Sequence, residues 1–326
     1  MLLIISIVAG LCLVTYLYFK KNQKALKIAY IFIISVWLIL QVSIIVNIEY
    51  QYQNAIGDYQ SEYADAINTE KNTPLNASWL LTEKYYDGMH NTYGQKTLLP
   101  NRAMVDTPIR AMLLGANPLL LIYFCDFNSQ NKLVFLQKTG NCGEFAGATA
   151  LMIRDVTGMN TRIIEMEGAD HALPEIYYED AWWVFDKTYT TSYSPIKARD
   201  YASHLSDTNF DLYLSIADLK EIKQGESTLI EHGFNASNVT ISALFDTIND
   251  SEPNTPLANT NIEVYTTKYR RDPLVYVGTT DINGECNLVL NVEKEYVIIG
   301  NNGVHKGIKI ISLAPLESES IILLLY

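Results

Sequence analysis

Three side-chain types that can do covalent chemistry together occur in order along this chain: a thiol at Cys142, an imidazole at His171 and a carboxylate at Asp186. A thiol becomes a nucleophile when a neighbouring base holds its proton, and the base works best when a third group fixes its tautomer. Cys142 lies in Gly140-Asn141-Cys142-Gly143-Glu144, where two glycines leave a sulfur approachable. A lone free cysteine is most often a buried, inert one. His171 and Asp186 are what change that reading.

The elements that must position these residues can be read from pattern. Positions 143–156 read as a helix, with Phe145, Ala148, Met152 and Val156 on one face and Thr157-Gly158 as the stop. Asn141 followed by Glu144 has the form of a capping box, which places Cys142 at the first helical position. There the positive end of the helix dipole favours thiolate over thiol. His171 to Tyr178 reads as a strand, Ala181 to Asp186 as its partner, and Glu179-Asp180 as the turn. If Tyr178 pairs with Ala181, alternation puts His171, Leu173, Glu175 and Tyr177 on one side with Val184 and Asp186. His171 and Asp186 are then diagonal neighbours within side-chain reach, and a slip of one residue sends them to opposite faces.

These residues resemble the transglutaminase-like superfamily of papain-like thiol enzymes. Gly140-Asn141-Cys142-Gly143-Glu144 looks like its nucleophile motif. His171-Ala172-Leu173-Pro174-Glu175-Ile176 looks like its His-Ala-Trp-x-Glu-Val strand, with Leu173 in place of tryptophan. Trp183-Val184-Phe185-Asp186-Lys187-Thr188 looks like its Trp-x-x-x-Asp-Pro-Thr, with Lys187 for proline and a shorter gap. The resemblance covers about 79–200, with the motifs inside 139–189. It implies an α+β catalytic domain, a Cys142–His171–Asp186 catalytic triad, a thioester formed from a protein or peptide amide, and no cofactor. The departures at Leu173 and Lys187 spare the triad and bear on pocket shape.

In that chemistry the oxyanion meets the backbone N–H of Cys142. Gln137 is the candidate for a second oxyanion donor, with an ordinary surface glutamine as the alternative. Glu175 is expected to brace the strand pair. Trp183, Tyr189 and Tyr193 either line a peptide groove or belong to the core. Water attacking the thioester makes a cysteine protease or amidase, a hydrolase; an amine makes a cross-linking transferase. Hydrolysis is favoured, because transfer needs a site that excludes water. Two rivals stand beside this reading. One is an idle surface module that binds a partner through its C-terminal domain, and the other is a Cys142 silenced by oxidation with Cys125.

Composition places the site. The chain has 326 residues and a net charge of −12, more than one ordinary domain. Four lysines fall within the first 27 residues and no acid precedes Glu49, so the remainder holds 20 basic and 36 acidic residues. That acidity argues against a nucleic-acid partner. Cys12, Cys125, Cys142 and Cys286 make no disulfide framework. No Cys-x-x-Cys or His-x-x-x-His pair points to a metal, and His90, His204, His232 and His305 read as ordinary surface or core histidines.

Residues 2–19 and 28–48 are apolar and each is long enough to cross a bilayer. The lysine-rich loop between them belongs in the cytoplasm, which makes a two-helix transmembrane hairpin and a multi-pass cell-membrane protein. The rest is then extracytoplasmic, in agreement with sequons at Asn76, Asn235, Asn238 and Asn249. A cleaved signal peptide, the alternative for the first stretch, would need a basic start and a small-residue cleavage site. A third apolar run, 112–124, contains Gly115 and Pro118 and reads as a buried core helix, with membrane contact as the alternative. Residues 49–78 read as a polar stalk broken by Gly57 and Pro74. Further helices are expected at 79–89, 109–124, 196–204 and 216–224, and an extended or turning segment at 132–137.

From 236 to 326 the pattern becomes short alternating runs: 239–245, 262–267, 275–280, 285–290, 296–299, 304–311 and 320–325. Asp281-Ile282-Asn283-Gly284 and Asn301-Asn302-Gly303 are tight turns. These predict an antiparallel β-sandwich that resembles transthyretin-like, carboxypeptidase-regulatory or collagen-adhesin B-type modules. The first strand has no lysine for the isopeptide bond of the adhesin type. Spacing, or binding a surface polymer or protein, is the expected role. The whole is α+β: hairpin 1–48, stalk 49–78, catalytic domain 79–235 and sandwich 236–326.

Overall fold

The computed structural model describes residues 23–70, 72–87, 90–91, 117–169, 171–187, 194–245, 255–266, 274–292, 294–313 and 318–326. The apolar stretch 2–19 and the first three residues of the lysine-rich loop, Lys20 to Asn22, therefore lie outside the described residues, as do Tyr189 and Tyr193. In chain order come helices α1 (Gln23–Glu70) and α2 (Pro74–Asp87), strand β1 (His90–Asn91), helices α3 (Pro118–Cys125) and α4 (Phe127–Gln137), strand β2 (Thr139–Gly140) and helix α5 (Cys142–Thr157). The chain divides into two compact units, Met1–Gly57 with Gly94–Gln137, and Asp58–Tyr93 with Lys138–Tyr326.

The first unit is helical among its described residues. Its part of α1 holds the apolar run 28–48, and α1 is the one described helix long and apolar enough to cross a membrane. Its 48 residues extend about 70 Å, more than twice the thickness of a hydrocarbon core. The break expected at Gly57 does not exist: α1 passes through it without interruption. One interior glycine costs only about 1 kcal/mol, and buried Tyr52, Ile56 and Tyr59 repay that by packing. Helix α3 opens with Pro118 in its first turn, but Ile122 is 69% exposed, so the expected core helix is not buried on all sides. The expected extended segment 132–137 is instead the end of α4, which the Asp126 carboxylate caps by accepting from Ser129 N at 2.9 Å.

The second unit begins with the end of α1 and with α2. Residues read as stalk thus pack into a folded body: Gln60 donates to Asp155 O at 3.0 Å at the end of α5, and Ser78, Trp79 and Tyr85 are buried. Its central sheet comprises β3 (Thr161–Glu167), β4 (His171–Tyr178), β5 (Ala181–Val184), β6 (Ile196–Lys197) and β7 (Asp218–Glu221), in the order β6-β5-β4-β3-β7 and antiparallel throughout. Helix α5 is buried over most of its circumference and packs on β3 and β4. A core of Ile164, Met166, Leu173, Val184, Leu205 and Leu219 includes residues of helix α6 (Tyr201–Thr208), and helix α7 (Phe210–Ser215) follows. The helix expected at 216–224 is β7, whose Leu219 pairs Met166 on β3. A four-residue run carries no period of its own, and the open edge of β3 decides its state.

The C-terminal strands are β8 (Ala236–Phe245), the short β9 (Thr255–Pro256), β10 (Asn261–Thr266), β11 (Leu274–Thr279), β12 (Glu285–Asn291), β13 (Glu295–Asn301), β14 (Lys306–Ser312) and β15 (Ser318–Leu325). They form two sheets, β11-β10-β13-β14 and β12-β8-β15, the latter with β9 beside β8, around a shared core of Val239, Ile241, Ile262, Val264, Ile298 and Leu323. The sandwich is not wholly antiparallel, because β15 runs parallel to β8. Alternation in a strand shows which side meets the core, not which way its neighbour runs. Gly300 and Gly307 sit opposite one another on β13 and β14, and a Cβ on Gly307 would lie 2.1 Å from Leu324 O. This glycine lets β15 close the corner. The sandwich joins the sheet domain through Asn291, which donates to Ile216 O at 2.9 Å, and through the Lys294 amine, which reaches the Leu214 and Ile216 carbonyls. Among the described residues no carboxylate is bonded to Lys294, and burial pulls its pKa down to about 7.

Candidate functional site

The site starts at the N-terminus of α5. Asn141 Oδ1 accepts from Glu144 N at 3.0 Å, and the Glu144 carboxylate accepts from Asn141 N at 2.8 Å, so both halves of the capping box are made. Gly140 makes this possible, because a Cβ there would lie 3.0 Å from the Glu144 side chain. Cys142 is the first helical residue, where N–H groups have no acceptor within the helix.

His171 opens β4 and Asp186 follows β5. The register is the one that alternation requires, Tyr178 opposite Ala181 and Glu175 opposite Val184, extended by Phe185 N donating to Pro174 O at 2.9 Å. The turn is made without glycine, Glu179 and Asp180 both adopting positive φ of 48° and 57°. His171 Nε2 and Asp186 Oδ2 are 3.1 Å apart. The Cys142 thiol also interacts with the imidazole. Burial alone would lower the imidazole pKa, but the Asp186 carboxylate and the Cys142 sulfur outweigh it and push it up to about 9. All three side chains are buried.

One group joins them that pattern did not reveal. Tyr201, the first residue of α6, donates its hydroxyl to Asp186 Oδ2 at 3.2 Å, the same oxygen that faces His171. Burial, with Asp186 next to it, drives the Tyr201 pKa well above its usual value, so the phenol stays a donor. Four positions further along the same face of β4, about 13 Å away, lies Glu175. Its Oε2 is 2.7 Å from the Arg162 guanidinium, and its Oε1 is 2.5 Å from His232 Nε2. Burial would raise the Glu175 carboxyl, but the charges of His232 and Arg162 hold it below the usual range. His232 Nδ1 lies 2.7 Å from Thr228 O, Arg162 also pairs with Glu231 at 2.9 Å, and the Trp182 ring lies 4.1 Å from the guanidinium. His232 is therefore a paired core histidine, and the bracing expected of Glu175 extends well beyond one strand pair. No local spacing links Tyr201 or His232 to the site.

Of the other expected lining residues, Tyr189 and Tyr193 lie outside the described residues, and Trp183 does not face this site. Trp183 pairs directly with Ile176, on the face of β5 opposite to Val184, and donates its indole N–H to Tyr178 O at 3.1 Å near the hairpin turn. Gln137 is the last residue of α4, in the first unit. Among the described residues, no group of three His, Cys, Asp or Glu side chains is placed to hold a metal ion.

Comparison with known proteins adds little chemistry. No family model matches the chain. Among solved structures, the shaft pilin SpaA from Lactobacillus rhamnosus GG aligns at 14% identity and TM-score 0.22, over 28% of this chain and 49% of the pilin. A structure titled S.CueP aligns at 9% identity and TM-score 0.21, over 34% of this chain and 75% of that one. This chain spans about half the pilin's length, and neither likeness is strong enough to carry an argument. An uncharacterized protein of Archaeoglobus fulgidus is 49% identical over 63 residues, which are 19% of this chain and 68% of that protein. On that match, the chain belongs to the same family as the uncharacterized Archaeoglobus fulgidus protein.

Proposed function

We propose that this chain is a membrane-anchored thiol enzyme of transglutaminase-like type, acting outside the cytoplasm on amide bonds of protein or peptide substrates. The observation that carries the reading is the meeting of Cys142, His171 and Asp186 in one buried cluster, with the thiol at a helix start and the imidazole held by a carboxylate. A catalytic thiol needs those neighbours, and an inert core cysteine needs none of them. Residues 2–19 and 28–48 form the proposed transmembrane hairpin.

The chemistry follows from the positions. The Cys142 thiolate adds to the amide carbonyl, and the oxyanion is met by the Cys142 backbone N–H at the start of α5. The His171 imidazolium gives its proton to the departing amine as the C–N bond breaks, leaving a thioester on Sγ. Neutral His171 then takes a proton from water as the water oxygen attacks the thioester, releasing the acid and restoring the ion pair. Asp186 keeps the imidazole oriented and stabilises its positive charge throughout, and Tyr201 keeps Asp186 in place. If an amine takes the place of water, the same steps produce a cross-link.

Iodoacetamide labelling of the full chain tests the reading. Cys142 should react faster than Cys125 or Cys286, and His171→Ala should slow only Cys142. Equal, slow labelling of all three cysteines would remove the enzyme reading. Offering an acyl-donor peptide with and without a primary amine then separates hydrolysis from transfer.

A further inference from the structure

In the first unit, a polar side chain is buried where the sequence is most apolar. Gln41 lies within the run 28–48 yet is only 1% exposed, whereas Ile39, Val42 and Val46 around it are exposed. Its Oε1 accepts from Leu119 N at 3.0 Å and from Leu120 N at 3.5 Å. These are N–H groups of the first turn of α3, where Pro118 has no N–H and Asn117 provides no side-chain cap. Gln41 is thus the cap of α3, supplied by another helix.

The contacts of α3 set its depth along α1. Its start is level with Gln41. Its end is level with Ile48 and Glu49: Phe124 packs on Ile48, and Tyr123 donates its hydroxyl to Glu49 at 2.6 Å. Lys132 of α4 holds the same carboxylate at 2.8 Å. Glu49 is the first charged residue after Lys27 and marks the polar end of the apolar run. Eight helical residues separate Gln41 from Glu49, so α3 begins about 12 Å below that boundary. That is within one leaflet of a hydrocarbon core about 30 Å thick. Helix α3 is Pro-Leu-Leu-Leu-Ile-Tyr-Phe-Cys, and its outward positions Pro118, Ile122 and Cys125 recur at helical spacing on one face.

Resting on the membrane reading of α1, we propose that α3 is embedded in the leaflet at the Glu49 end of the span, with Pro118, Ile122 and Cys125 against lipid acyl chains. Lipid, rather than another protein, is the occupant that the depth selects, because apolar Val42, Ile44 and Val46 of α1, which lie between Gln41 and Glu49, are exposed at the same level. It also explains Gln41. In hydrocarbon no water can satisfy the orphan N–H groups of a helix start, so a neighbouring side chain must. A buried glutamine within a span is costly unless it does such work. Residues 118–125 are then a second point of contact between this chain and the bilayer.

Nitroxide scanning tests this on the full chain in phosphatidylcholine–phosphatidylglycerol vesicles, with the four native cysteines replaced by alanine. A label is placed at Ile122→Cys, with Ile39→Cys on α1 and Asn128→Cys on α4 as references. All three positions are exposed, so the substitutions leave packing intact. Collisions with oxygen report lipid, and collisions with a water-soluble nickel chelate report solvent. The expected result is oxygen-rich, nickel-poor behaviour at 122, as at 39, with about tenfold more nickel collision at 128. Nickel access at 122 with lipid-like behaviour at 39 would overturn the embedding of α3 and leave the span intact. Nickel access at both 39 and 122 would overturn the membrane reading itself. Protection of 122 from both reagents would mean that protein covers α3, which also overturns the inference.

Discussion

Strand β4 carries two buried carboxylate–histidine pairs on one face, and they are alike in geometry but not in use. At one end His171 faces Asp186 at 3.1 Å; four residues along, Glu175 faces His232 at 2.5 Å. In both pairs burial opposes the imidazole's charge and the carboxylate overcomes it. They differ in the third partner. The first pair meets a thiol at a helix start, whereas the second meets Arg162, which is itself tied to Glu231 and stacked on Trp182. A carboxylate-held imidazole is thus not in itself a catalytic feature. With a guanidinium beside it the pair is a closed, fully compensated brace; with a thiol beside it the pair has a proton to move.

That contrast can be broken by substitution. The largest effect on rate is expected from His171→Ala, which should slow Cys142 alkylation and any amide hydrolysis by about 10³-fold, and should also cost stability, because it takes the counter-charge from buried Asp186. Next, Glu175→Ala should leave His232 and Arg162 buried without their shared counter-charge and destabilise the domain by about 3–5 kcal/mol, read from urea unfolding. If Glu175→Ala impaired reactivity with no loss of stability, the two pairs would have exchanged roles. Tyr201→Phe should be smaller, about 1 kcal/mol in stability and several-fold in rate, since it removes one hydrogen bond and leaves the ring in place.

Hydrogen-ion dependence distinguishes the site from the domain junction. His171 has a folded pKa near 9, above its usual 6.5, so its pairing contributes stability that is complete below 6.5 and is lost as pH rises through 9. Hydrolysis should decline over the same alkaline limb as the imidazolium is titrated. Lys294 has the opposite sign. Its folded pKa near 7 lies below its usual 10.5, so the unfolded chain binds more protons in that window, and stability should rise from pH 7 to 10.5 by up to about 1 kcal/mol per unit. Lys294→Met should remove that slope from the unfolding profile without altering the rate profile. The smallest effect is expected at the hairpin turn. Asp180→Gly should raise stability by roughly 0.5–1 kcal/mol, since glycine adopts the left-handed conformation without a steric penalty.

The amino-acid sequence by itself determined the helix start at Cys142, the His171–Asp186 register, the apolar length of α1 and all seven main strands of the sandwich. Each of these rests on contacts between near neighbours: a capping box spans three residues, a hairpin face repeats every second residue, and an apolar run is contiguous. What only the tertiary structure decided are contacts between distant segments. Tyr201 reaches Asp186 from another helix, and His232 meets Glu175 across 57 residues. Gln41 caps a helix 78 residues away, β15 enters parallel to β8, and the segment 218–221 becomes a strand because β3 has an open edge. No local periodicity encodes such pairings, because their energy comes from burying and satisfying polar groups that meet only when the chain has folded.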